Sequence, residues 1–267
     1  MVDSNPGIPR QDAGSAWLAC RQRRPDAAVR LYCFPHAGGS PGEYVRWSDS
    51  LPGIEVWGVH LPGRGPRVAE EPYLRVDALV QAIVASVAFR PPFALFGHSL
   101  GAVVAFETAR ALRDRGGPRP EALILSGYHA PHVPSTTPDV HRLPDEQLWP
   151  IVARQLGELS PELHDDPDFR QLLLACHRAD FEMIETYRYA EGPPLSVPLT
   201  VVAGTEDYSE DLLKAWRRHT TGPFAMQLFT GDHFYLRKQR DGLLRFVTST
   251  LANRSHASMA GSLRTAG

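Results

Sequence analysis

A chain of 267 residues with 43% apolar and 22% charged side chains has the material for one core and is not an intrinsically disordered protein. Its formal charge of −2 gives no overall pull toward nucleic acid or a membrane surface. Its three cysteines, Cys20, Cys33 and Cys176, are too few and too far apart for a disulfide framework or a zinc-ligand spacing, so reduced thiols in a cytoplasmic compartment are expected.

The amino-terminal stretch MVDSNPGIPRQDAGSAW carries no apolar segment of signal-peptide length, and no later segment approaches the roughly 18 apolar residues of a membrane span. The small, polar ends, about 1–15 and 253–267, are expected to be disordered around a single domain. Between them the first apolar run, VRLYCFP from Val29, reads as a buried strand leading into the loop FPHAGGSPGEY. The strand EVWGVHLP from Glu55 and the amphipathic helix VDALVQAIVASVAF follow. FALFGHS from Phe93 is the next strand, LGAVVAFETARALRDRG the next helix, and ALILSGY from Ala122 a further strand.

From about 131 to 190 this alternation stops. The segment is punctuated by proline and includes the helical pattern DFRQLLLACHRADFEMIETYRY, so it is expected to be an inserted helical lid. A packed helical decoration with no gating role is the alternative. The alternation then resumes with the strand PLTVVAGT from Pro198, the helix SEDLLKAWRRHTTG and the strand FAMQLFTG from Phe224. This order predicts an α/β fold: a mostly parallel sheet covered by helices on both faces, with ligands at the carboxyl ends of the strands.

Gly97-His98-Ser99-Leu100-Gly101 lies between such a strand and such a helix, the context in which G-x-S-x-G forms a sharp turn that projects the serine above the sheet. A serine that merely caps the helix is the competing reading. A serine nucleophile needs a base, and the base needs an acid to orient it; in this architecture they follow in the order serine, acid, histidine. His233 after the last strand is the candidate base, and Asp207 after the strand from Pro198 is the candidate acid, with Glu206 and Asp232 as alternatives. Asp232 is the less suitable, because neighbouring side chains on an extended segment point opposite ways. The backbone N–H groups of Leu100 and Ala37 are the candidate oxyanion donors, and His36 a candidate pocket residue.

The segments FPHAGG, LPGRG, GHSLG, AGTED and GDHF, with the HRADFEMIETY helix, resemble the type II thioesterases of modular polyketide and nonribosomal peptide synthases, over about Leu31 to Leu251. The resemblance implies an α/β-hydrolase fold. It also implies hydrolysis of acyl groups from the phosphopantetheine thiol of acyl carrier protein domains, clearing stalled or misprimed synthase modules. The partners are then the carrier domains and the acyl thioester, with no cofactor beyond the phosphopantetheine that the substrate carries. Arg64 and Arg67 in LPGRGPR are expected to meet that phosphate or an acidic carrier face, with solvated turn arginines as the alternative.

No metal is expected: HDDPD lacks the glycine and glutamate of a calcium loop, and His129 and His132 lack further ligands at suitable spacing. The basic cluster RQRR, from Arg21, is expected to be a solvated face and not a nucleic-acid contact. Two other functions stay open at this level. One is a general serine carboxylesterase on diffusible esters; the other is a catalytically silent hydrolase-fold protein that binds a synthase.

Overall fold

The computed structural model describes residues 16–134, 139–156 and 166–262, with side chains described as far as 252. The elements run β1 (Leu18–Ala19), β2 (Val29–Phe34), α1 (Pro41–Val45), β3 (Ile54–Val59), α2 (Val76–Ser86), β4 (Phe93–His98), α3 (Leu100–Asp114) and β5 (Ala122–Ser126). After these come α4 (Asp145–Leu156), α5 (Pro167–Glu185), β6 (Leu199–Gly204), α6 (Glu210–Lys214), β7 (Phe224–Phe229), α7 (Tyr235–Lys238) and α8 (Arg240–Ser262). The strands form one sheet in the order β1-β3-β2-β4-β5-β6-β7, parallel except for the two-residue β1, which pairs antiparallel with β3.

The alternation of side chains along each strand explains why both faces are covered. On β4, Phe93 and Leu95 enter one core while Ala94 and Phe96 enter the other, and β5 divides Leu123 and Leu125 from Ala122 and Ile124 in the same way. The first face is sealed by α2, whose Val76, Leu79, Val80 and Ile83 recur at three- and four-residue spacing, and by α3. The second is sealed by α8 through Leu243, Leu244, Val247 and Leu251, together with Tyr44 of α1 and Trp47. Burying an aromatic or branched aliphatic side chain contributes about 1.5–3 kcal/mol, so the strands that carry the site stand on the most heavily stabilised part of the molecule.

The expected helical interruption lies between β5 and β6. It holds a 3-10 turn at Val140–Arg142, then α4 and α5. Asp166 starts α5 by accepting the N–H groups of Asp168 and Phe169 at 2.9 and 3.0 Å, with Pro167 at the first helical position. Its far end is tied to α3: Tyr187 donates to Glu107 at 2.5 Å, and Arg110 donates to the Ala190 carbonyl at 2.7 Å.

The last helix, α8, continues to Ser262, and residues 1–15 and 263–267 lie outside the described residues. One expectation changes. The segment from Ser209 forms only five α-helical residues before tightening into a 3-10 helix at Ala215–His219. In the RQRR cluster Arg21 and Arg23 are solvated, as expected, while Arg24 is half-buried and donates to the carbonyls of Ser48, Leu51 and Ile54.

Candidate active site

Ser99 sits between β4 and α3 with φ 55° and ψ −120°, the one positive-φ residue other than glycine among the described residues. A serine in that region is strained, and the neighbouring glycines show what holds it there. A Cβ at Gly97 would stand 2.0 Å from the Gly101 carbonyl oxygen, and one at Gly101 would stand 2.1 Å from that of Phe34. Strand, helix start and the end of β2 are therefore packed backbone to backbone around the turn. The Ser99 N–H donates to Ser126 of β5 at 2.8 Å, which leaves the side chain to project above the sheet, partly exposed. The first-turn N–H groups of α3, that of Leu100 included, have no acceptor within their own helix and form the positive end of its dipole.

The contact of Gly101 with Phe34 and Pro35 brings the loop after β2 beside this helix start. In that loop Ala37 is buried and Gly38 takes φ +70°, and among the described residues the Ala37 N–H makes no hydrogen bond. The two candidate oxyanion donors thus come from adjacent backbone segments.

His233 and Asp207 meet at the ends of β7 and β6. His233 Nδ1 lies 3.0 Å from both Asp207 oxygens, which fixes Nε2 as the free ring nitrogen. The approach depends on Gly204, where a Cβ would be 2.2 Å from the Asp232 carbonyl oxygen, and on Gly127, where one would be 3.2 Å from Asp207 Oδ2. Glu206 is exposed and contributes only its N–H, to Gly231, while the Asp232 carboxylate accepts the Phe234 N–H; neither alternative acid reaches the imidazole. Among the described residues the Ser99 hydroxyl makes no hydrogen bond, a looseness common in unliganded sites. The ring centroid of its neighbour His98 lies 4.9 Å from that of His233.

His98 is fully buried, and its Nδ1 lies 2.9 Å from Ser126 Oγ, which in turn lies 2.8 Å from the Tyr235 hydroxyl. Burial, reinforced by the neighbouring His233, holds His98 well below the usual histidine range, so it is a neutral wall for the base. His36 belongs to the same ring cluster, 5.1 Å from Phe234 and 5.8 Å from His98 between centroids, with Nδ1 3.1 Å from the Tyr44 hydroxyl. Burial lowers its pKa to about 3. His36 is therefore a packed, neutral side chain beside His98 and Phe234.

Arg64 departs from expectation. Its guanidinium is 8% exposed and paired bidentately with Asp180 of α5, Nη1 to Oδ2 and Nη2 to Oδ1, each at 2.7 Å. A carrier face or phosphate has no access to it, because its donors are used inside the protein. Arg67 is likewise buried, donating to the His60 carbonyl and to Glu70 and lying over Trp17 at 4.0 Å. Asp180 was not singled out in the sequence; its one signal is its place three residues after His177, on the same helical face. Ser126 and Tyr235 carried no signal at all.

Among the described residues one group of possible metal ligands, Asp139, His141 and Glu185, has its donor atoms within 4.8 Å of one another. The Glu185 carboxylate there accepts the N–H groups of Val140 and His141 and the His141 Nδ1 contact at 2.5 Å, so it caps the 3-10 turn. No helix among the described residues is long and apolar enough to cross a membrane.

Comparison with known proteins shows the family. The family model described as "Thioesterase domain" matches residues 29–251. "Thioesterase PikA5" of Streptomyces venezuelae is 41% identical over 231 residues, covering 84% of this chain and 81% of that protein. "Linear gramicidin dehydrogenase LgrE" of Brevibacillus parabrevis is 38% identical over 245 residues, covering 89% and 93%. Among solved structures, the type II thioesterase BorB from the borrelidin biosynthetic cluster superposes with a TM-score of 0.79 at 36% identity, covering 90% of this chain and 98% of that one. The expected α/β-hydrolase fold is the fold of these neighbours.

Proposed function

Because the chain belongs to the thioesterase family and is a serine-type thioester hydrolase, we propose that it acts as a type II thioesterase on carrier-bound acyl groups. The substrate is an acyl thioester on the phosphopantetheine of a polyketide or nonribosomal peptide synthase carrier domain, and the reaction passes through an acyl-serine. The observations that support this reading are the Asp207–His233 pair, two contacts of 3.0 Å, and a serine on a strained strand-to-helix turn whose neighbour His98 has its ring 4.9 Å from that of His233.

In this mechanism His233 Nε2 takes the proton of the Ser99 hydroxyl as Oγ attacks the thioester carbonyl carbon. The oxygen becomes an oxyanion that accepts from the Leu100 and Ala37 N–H groups, each donor worth about 2.7–4 kcal/mol in the transition state. Collapse breaks the carbon–sulfur bond, and the thiolate leaves with the proton from His233; with a thiol pKa near ~8.5 it departs readily. Water then gives its proton to His233 and attacks the acyl-serine through a second oxyanion, releasing the acid and restoring the Ser99 hydroxyl. Asp207 keeps the imidazole in the required tautomer and stabilises the imidazolium. The reaction asks no cofactor of the protein.

The dehydrogenase name of one relative does not favour hydride transfer here, since the loop after β2 reads FPHAGGSPG and lacks the G-x-G-x-x-G dinucleotide fingerprint. The test is hydrolysis of acetyl, propionyl and longer acyl groups loaded on an acyl carrier protein, beside matched free esters. Release that is faster from the carrier than from esters, and that disappears in Ser99→Ala, is the expected result. Release unchanged in Ser99→Ala, or none by the intact protein, would overturn the reading; equal rates on esters would favour a general carboxylesterase.

A further inference from the structure

We infer that Asp180, on the inserted helix α5, is a positioning residue that holds the Ala37 N–H in place as an oxyanion donor, an inference that rests on the serine-thioesterase reading above. Its carboxylate is fully buried and receives three donors: Arg64 Nη1 and Nη2, and the backbone N–H of Gly38, all at 2.7 Å. The last of these reaches across 142 residues from the inserted helix to the loop after β2. Fixing the Gly38 N–H fixes the plane of the Ala37–Gly38 peptide, and so limits how the adjoining Ala37 N–H can turn.

The loop needs such a constraint. Gly38 and Gly39 together make a segment with a low barrier to peptide rotation, and Gly38 already occupies the left-handed region at φ +70°. Its internal tie is the Gly39 N–H to the His36 carbonyl at 2.8 Å. The insertion and the LPGRG loop supply the rest. Arg64 Nη1 donates to the Gly39 carbonyl at 3.1 Å while holding Asp180, and the His177 ring fills the space above Gly38, where a Cβ would lie 1.9 Å from Nε2. His177 and Asp180 stand at i and i+3 on α5, so one face of the helix meets the loop at two points.

Stability alone is a weak reason for such a pair. Burying two charges costs several kcal/mol of solvation per ion, and a well-packed apolar replacement is often as stable. What an apolar pair lacks is an acceptor for the Gly38 N–H and a donor for the Gly39 carbonyl. The Arg64–Asp180 pair provides both and thereby selects one conformation of the loop.

The test compares the wild-type protein with Asp180→Asn and Arg64→Lys, both close in size to the native residues. Three quantities are read: kcat and KM on an acyl N-acetylcysteamine thioester, the affinity of a trifluoromethyl ketone that forms an oxyanion on addition of the serine, and the affinity of an unreactive thioether of the same shape. The expected result is a fall in kcat of about 10- to 100-fold, smaller than the complete loss of a strong oxyanion donor, with a parallel fall in ketone affinity. KM and thioether affinity stay within about twofold of wild type. Folded variants with wild-type kcat and ketone affinity would overturn the inference, as would equal losses for ketone and thioether, which would indicate a disturbed pocket. Failure of both variants to fold would also overturn it, assigning the pair to stability. A wild-type protein without turnover, or Ser99→Ala with full turnover, would instead remove the functional reading itself.

Discussion

Asp207 and Glu206 are adjacent carboxylates with opposite fates. Asp207 points inward, where it meets His233 Nδ1, while Glu206 points to solvent. Replacing Asp207 by Asn keeps the shape but permits the wrong imidazole tautomer, so kcat on a thioester substrate is expected to fall by about three to four orders of magnitude. Glu206→Gln is expected to stay within about twofold of wild type, because its carboxylate orients nothing. Steady-state turnover of both variants checks the assignment; a comparable loss in Glu206→Gln would reverse it.

The turn between β4 and α3 is built on glycines whose missing side chains are replaced by backbone. At Gly101 the obstructing atoms are the Phe34 and Pro35 carbonyl oxygens, fixed by the sheet, so Gly101→Ala must push α3 away from β2. We expect a loss of about 1–3 kcal/mol in chemical denaturation, with turnover reduced even where the protein is folded. Gly53→Ala is the control: a Cβ there meets nothing within 4 Å, and stability should change by less than about 0.5 kcal/mol. Equal effects at the two positions would contradict the packing described for the turn.

Six buried histidines, His36, His60, His98, His129, His177 and His219, lie below the usual histidine range through burial, and the three shifted most dominate the response of the molecule to acid. His36 is lowered to about 3 and His219 to about 4, each chiefly by burial, and His98 well below the usual range for the same reason. The unfolded chain binds their protons near pH ~6.5, whereas the folded protein does not until far lower pH, so stability is full above about pH 6.5 and falls on acidification. Each group contributes a slope of about 1.4 kcal/mol per pH unit between its two pKa values. Urea unfolding at pH 7 and pH 5 should give a clearly lower midpoint at pH 5, with a weaker drop in His219→Gln; coincident midpoints would contradict neutral burial of these rings.

The strand-and-helix alternation, the serine between Gly97 and Gly101, and the order Ser99, Asp207, His233 were legible in the sequence, because periodicity and turn chemistry act over a few residues. The choice of Asp207 over Glu206 was half legible: both follow the strand from Pro198 in the required order, and only the tertiary structure puts Asp207 against His233 and Glu206 in solvent. Arg64 was misread because nothing local tells a solvated side chain from a buried one whose partner is distant. The Arg64 partner is 116 residues away, on a helix inserted between β5 and β6. The sequence by itself thus determined the layers, the elbow and the order of the candidate serine, acid and histidine. Only the tertiary structure decided which of its charges are buried and what they hold, because a buried charge is defined by the groups that replace its water.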